Sequence, residues 1–262
     1  MSKSCRIIAE IGSNWIGDPK VAVRHVEVAA KAGVDGVKFQ LFRAKDLYDT
    51  PPAGLERFEL PIEAIATLSS HAHNYGLQFS VTPYSPELAG ALSGQVDTVK
   101  VSAYDLTYDD LLVAVVALDV PVVLSTAMAT FDEIDHALSV LGKSSHQITL
   151  LHGVAVYPAP LGVSNLARLR SMIHRYPGCK VGLSDHSLGV TIAIAAIMLG
   201  ATHIEKHAKL KLTSIEHISP DAPHSLHMAA MKKLTAASTH IPYLMNNTMI
   251  EGPQPCEMPL YN

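Results

Sequence analysis

Two histidines and two lysines stand where they could do chemistry. Ser184-Asp185-His186 ends one expected strand, and Glu205-Lys206-His207 ends the next. In a parallel α/β fold both strand ends lie on the same face. His186 and His207 could therefore hold a divalent metal between them. Lys38 and Lys100 sit mid-strand among apolar residues. A buried lysine is costly without an anionic partner, so these two point to an anionic ligand. Alternation places Lys206 on the opposite face from Glu205 and His207, as an outward, helix-facing lysine.

These residues are spaced by a regular series of short apolar runs and helix-length amphipathic runs. The strands are expected at Arg6–Ile11, Val34–Phe39, Leu77–Val81, Thr98–Val101, Val120–Leu124, Ile148–Leu151, Lys180–Leu183 and His203–Lys206. The helices are expected at Val21–Ala32, Pro61–Tyr75, Pro86–Leu92, Tyr108–Leu118, Phe131–Leu141, Asn165–Tyr176, Leu188–Leu199 and Leu226–His240. Gly33 suits a C-cap, and Thr130 with Glu133 forms a capping box. Eight βα units in one chain of 262 residues predict a (β/α)8 barrel over 1–241. The tail 242–262, with three more prolines beyond Pro242, reads as a surface arm or a remnant linker.

Barrel enzymes work at the C-terminal strand ends. Those positions here carry Glu10, Lys38, Gln40, Thr82, Lys100, Ser102, Asp105, Ser125, His152, Tyr157, Ser184, His186, Glu205 and His207. Most of the 14 histidines must be ordinary. His71, His73, His136, His174 and His240 fall on helix surfaces. His217 and His224, flanking Asp221, read as residues of a solvated loop. Trp15 either covers the pocket or packs on the rim.

Composition excludes several classes. A net charge of −4 gives no electrostatic reason to expect nucleic acid or a membrane surface. No apolar run is long enough to span a bilayer, and the N-terminus lacks the apolar core of a signal peptide. Three scattered cysteines make neither a disulfide framework nor a CxxC site. A cytoplasmic setting is expected.

The motifs taken together resemble the sialic acid synthase family. They are Ala9-Glu10-Ile11-Gly12-Ser13-Asn14, Val37-Lys38-Phe39-Gln40, Thr82-Pro83, Leu124-Ser125-Thr126 and Met128-Ala129-Thr130. Leu151-His152, Tyr157-Pro158, Ser184-Asp185-His186-Ser187-Leu188-Gly189, Ile204-Glu205-Lys206-His207 and Pro220-Asp221 complete the set. The resemblance implies condensation of phosphoenolpyruvate with the open-chain aldehyde of an aldose or N-acyl amino sugar. It implies a divalent metal, manganese first and magnesium or cobalt next, on His186 and His207. Lys38, Thr82, Lys100, Ser125 and Ser184 would hold phosphoenolpyruvate, with Ser102 or Tyr104 helping. Gln40, Tyr157, Glu205 and Asp221 would face the sugar. Glu10 and Asp105 are the carboxylates for the reacting water. A homodimer of barrels is also implied.

Four departures stand out. The family's Lys-x-Ala-Ser-Gly/Ser-Glu run is Lys100-Val101-Ser102-Ala103-Tyr104-Asp105, so a phosphate-binding serine has become Ala103. The asparagine before Tyr157 has become Ala155. The first loop reads Asn14-Trp15-Ile16-Gly17, and the family's C-terminal antifreeze-like domain is not in the sequence. These leave two other readings beside the condensation. One is a metal-dependent pyruvate-type aldolase, and the other is a non-catalytic, metal-binding regulatory barrel.

Overall fold

A computed structural model describes residues 5–142 and 147–245. Eight parallel strands follow one another around a closed sheet. They are β1 (Arg6–Glu10), β2 (Gly36–Leu41), β3 (Gln78–Pro83), β4 (Thr98–Val101), β5 (Val122–Ser125), β6 (Ile148–Gly153), β7 (Lys180–Asp185) and β8 (His203–Lys209). β1 pairs with β8, Glu10 opposite His207, which closes the (β/α)8 barrel.

The alternation of each strand decides where the core sits. Ile7, Ala9, Val37, Phe39, Phe79, Val81, Val99, Val101, Leu124, Leu150, Leu183 and Ile204 belong to one buried apolar cluster with the helices. Their neighbours point into the barrel, where polar residues mix with Ile8, Val123 and Leu151. Ser80, Thr98, Val123, Thr149 and Leu151 there line a cavity of about 250 Å³ that reaches Lys38 and Glu205. Branched apolar layers usually fill this space. The main apolar core is thus an annulus between sheet and helices, and the barrel axis holds a cavity with a mixed polar and apolar lining.

The helix Pro19–Ala32 starts at Asp18, whose carboxylate accepts from Lys20 N at 2.8 Å, and stops at Gly33 with φ 76°. The helix Phe131–Leu141 carries the expected Thr130–Glu133 capping box. Most element boundaries shift by one to three residues from expectation, and three of the differences have a visible cause or consequence. β2 begins at Gly36, because Asp35 is held to β1 through bonds with Ile7 N and Ile7 O. The helix expected from Leu188 begins at Thr191, after Gly189 with φ 75°. The last helix runs Met228–Met245, after a two-residue strand β9 (Leu226–His227) beside the end of β8. It crosses the boundary placed at 241, and residues 246–262 lie outside the described residues. No helix among the described residues is long and apolar enough to cross a membrane.

Candidate functional site

Four charged side chains meet inside the upper barrel. Glu10 and Lys38 are register partners on β1 and β2, and they form a direct ion pair. Lys38 Nζ also donates to Thr82 Oγ1 at 2.8 Å and lies 3.7 Å from Glu205 Oε1. Lys100 Nζ donates to the same Glu205 oxygen at 2.7 Å. All four are buried. Burial alone would raise the Glu205 carboxyl, but the ammonium groups of Lys100 and Lys38 hold it below the usual carboxylate range. Burial, with the charge of Glu205, pushes the Glu10 carboxyl upward despite its contact with Lys38. The same environment thus makes one carboxylate a fixed anion and the other a group that can exchange a proton. Gly12 N donates to Glu10 Oε1 at 2.7 Å and fixes its orientation.

The histidines gather beside this quartet. The rings of His186 and His207 are 6.0 Å apart, and those of His207 and His224 are 4.6 Å apart. Tyr157 lies against His186 at 4.2 Å and His224 at 5.1 Å. His186 Nδ1 donates to the Val154 carbonyl at 2.7 Å, which leaves Nε2 as the acceptor nitrogen, 3.3 Å from Ser184 Oγ. Burial pushes His186 down to about 3 and His224 down to about 4, so both imidazoles are neutral and keep a lone pair for a cation. Asp221 Oδ2 accepts from Ser13 N and Ser13 Oγ at 2.7 and 2.8 Å. The donor atoms of His207, Asp221 and His224 lie within 4.8 Å of one another. Two buried atoms there, His207 Nδ1 and His224 Nε2, have no hydrogen-bond partner. Neutral imidazoles, a carboxylate and orphaned buried nitrogens suit a divalent transition metal.

The hollow above the quartet collects most of the residues singled out in the sequence. Besides the four charges, Gln40, Thr82, Ser102, Ser125, Tyr157, Ser184 and His207 line it. Asp105 is not among the lining residues. Its part-buried carboxyl has one oxygen without a partner, and burial pushes it up to about 6. Asp221 reaches the site through His207, at 3.7 Å from Nδ1. His152 points outward and bonds the Ser164 carbonyl, and it tethers the loop after β6. Lys206 faces outward as expected, yet it is fully buried, bonded to Asp185 Oδ2 and Ser187 O at 2.7 Å each. Trp15 packs in the main core and not over the hollow. His217 is exposed as expected, but it lies on the short helix Thr213–Ile218 and not in a loop.

His224 corrects the sequence reading. It is 5% exposed, not solvated, because the short turn Ala222–His224 folds it over Asp221. Its i, i+3 spacing from Asp221 was the available signal. Tyr84 and Tyr104 also line the hollow and were not singled out as strand-end positions. Each lies two residues beyond an inward-facing residue, Thr82 and Ser102, so the period-2 pattern could have found both.

Comparison with known proteins agrees with this fold. The N,N'-diacetyllegionaminic acid synthase of Campylobacter jejuni is 33% identical over 86% of this chain and 74% of its own length. The spore coat polysaccharide biosynthesis protein SpsE of Bacillus subtilis is 34% identical over 84% of this chain and 62% of its own. The chain therefore spans roughly three fifths to three quarters of these curated relatives. The N-acetylneuraminic acid synthetase of Leptospira borgpetersenii serovar Hardjo-bovis, solved with citrate, superposes with a TM-score of 0.87 at 26% identity. It covers 98% of this chain and 90% of that one. Residues 25–249 match the pattern of the NeuB family, and the chain belongs to that family.

Proposed function

We propose that this barrel condenses phosphoenolpyruvate with the open-chain form of an aldose or N-acyl amino sugar. The enol carbon of the donor would bond to the aldehyde carbon, and water would add at the donor's C2 as inorganic phosphate leaves. The product would be a 2-keto-3-deoxy sugar acid. The observation that carries this reading is the buried Glu10–Lys38–Glu205–Lys100 quartet set beside the histidine cluster. A polyanionic donor needs buried cations, and an aldehyde needs an electrophile beside it.

Lys38 and Lys100 would hold the donor's phosphate and carboxylate as point charges. Thr82, Ser102, Ser125 and Ser184 present hydroxyls on the same hollow. Glu205 stays ionised between the lysines and keeps their ammonium groups in place. Glu10, with its raised carboxyl, is the group to accept a proton from the attacking water. Gln40, Tyr157 and Asp221 would position the acceptor. A divalent ion on His186 and His207, manganese by preference, would polarise the aldehyde oxygen.

The test is phosphate release from phosphoenolpyruvate in the presence of manganese and a panel of N-acyl hexosamines and simple aldoses. Release should depend on both acceptor and metal, and a chelator should abolish it. Turnover with pyruvate alone as donor would transfer the site to an aldolase. No turnover with either donor would favour a regulatory barrel.

A further inference from the structure

We infer that His224 is a further protein ligand of the metal centre, joined to His207 through Asp221. The inference rests on the metal-assisted reading above and extends its donor set beyond His186 and His207.

Three donor atoms converge without satisfying one another. Asp221 Oδ1 lies 3.5 Å from His224 Nε2, and Asp221 Oδ2 lies 3.7 Å from His207 Nδ1. Both distances are too long for good hydrogen bonds. They are close to the spacing of neighbouring donors around one cation, roughly 3–3.5 Å for bonds near 2.1 Å. His207 and His224 are 7% and 5% exposed, and their facing nitrogens have no other partner. A buried polar atom left unpaired costs about 1–3 kcal/mol, so two in one cluster need a reason. A shared cation supplies one.

The surroundings hold this arrangement in place. Ser13 N and Ser13 Oγ both bond Asp221 Oδ2, which orients the carboxylate and turns Oδ1 toward His224. Ser225 Oγ donates to the Asp221 carbonyl at 2.7 Å and braces the turn that carries His224. A Cβ on Gly12 would collide with Asp221 Oδ2 and press on the His207 ring, so glycine there keeps the two ligands together. Tyr157 lies against the rings of His224 and His186, which links the turn carrying His224 to the end of β7. With His186, the donors are three imidazoles and one carboxylate, a mixed N/O set that suits a divalent first-row ion and leaves two of six positions for substrate oxygens.

Manganese binding to chelator-stripped protein, followed by titration calorimetry and by the electron paramagnetic resonance of free manganese, tests this without turnover. His224→Ala should weaken binding by at least roughly tenfold, as should His207→Ala. Cobalt-loaded His224→Ala should show an altered d–d spectrum, and manganese should raise its melting temperature less than that of the wild type. His224→Gln and circular dichroism of the metal-free variants control for folding. Wild-type affinity in His224→Ala, alongside loss in His186→Ala and His207→Ala, would overturn the inference and leave the histidine pair. No manganese binding by the wild type would overturn both this inference and the metal-assisted reading.

Discussion

Glu205→Gln puts the electrostatic account of the site to a quantitative test. The substitution keeps shape and removes one charge. Lys100 would lose its direct partner at 2.7 Å, whereas Lys38 would keep Glu10. Breaking one side of a buried ion pair costs about 3–5 kcal/mol. The lower part of that range applies here. Only one lysine is fully orphaned, and the cavity beneath Lys38 and Glu205 is large enough to admit water. We expect a loss of about 3 kcal/mol in urea unfolding at pH 7. The double variant Lys100→Met, Glu205→Gln should lose less than the two single losses summed, with a coupling of about 2 kcal/mol between the sites. Glu205 has a folded-state pKa below its unfolded value. Its contribution is therefore present above the ordinary glutamate range and is lost as pH falls through the folded value. The wild-type advantage over the variant should shrink accordingly in strong acid. A loss below about 0.5 kcal/mol at pH 7, or strict additivity in the cycle, would refute the claim that Glu205 holds buried lysine charges.

Two other perturbations probe the frame around the site. His25 is fully buried in the helix Pro19–Ala32, and burial pushes it down to about 4. The folded state then binds this proton later than the unfolded state, so stability should fall as pH drops from about 6.5 to 4, by up to about 3 kcal/mol. In urea titrations across that window, His25→Leu should flatten the slope, and an unchanged slope would remove His25 as its source. Gly12→Ala should cost roughly 2–4 kcal/mol, from a left-handed backbone and the collision with Asp221, and should weaken manganese binding as well. Wild-type stability and metal affinity in that variant would contradict the packing described here.

Much of this site was legible because a strand writes its two faces into alternate positions. Ile7 and Ala9 flank Ile8, and Val37 and Phe39 flank Lys38, so the outward apolar face and the inward polar face separate on inspection. That is why Lys38, Lys100 and Glu205 could be placed inside the barrel, and Lys206 outside it, from sequence alone. Depth was not legible. Lys206 is as buried as any core residue because Asp185 and Ser187 meet it under the helices, and period-2 reasoning carries no information on what covers a face. His224 was missed for a related reason. Its position depends on a turn whose direction is set by bonds from Ser13 to Ser219 and Asp221, more than 200 positions further along the chain. The β2 start was misplaced because Asp35 bonds across to Ile7, a tertiary contact that ends the turn later than the apolar run suggests.

The departures on β4 and β6 carry unequal weight once placed in the fold. Ala103 lines the hollow, so a hydroxyl is missing where an anionic donor would sit. Ala155 is not among the lining residues. Ser102 Oγ accepts from Tyr104 N at 3.3 Å, which leaves its own O–H free to donate. The loss at Ala103 therefore has a neighbour able to offset it, worth about 1.5–3 kcal/mol toward a charged group. Charge remains the larger constraint. Two ammonium groups face two carboxyl groups, so the quartet is neutral when both glutamates are ionised. A phosphorylated donor would enter with its own negative charge unmatched. Glu10 can relieve this by taking up a proton, since its carboxyl already lies above the ordinary range. Glu205 cannot, because Lys100 and Lys38 hold it ionised. The carboxylate that buffers the donor's charge is then the same one positioned for the reacting water. A Glu10 protonated on donor binding would have to lose that proton before it could accept one from the water, so the two proposed roles call on one carboxyl in opposite states.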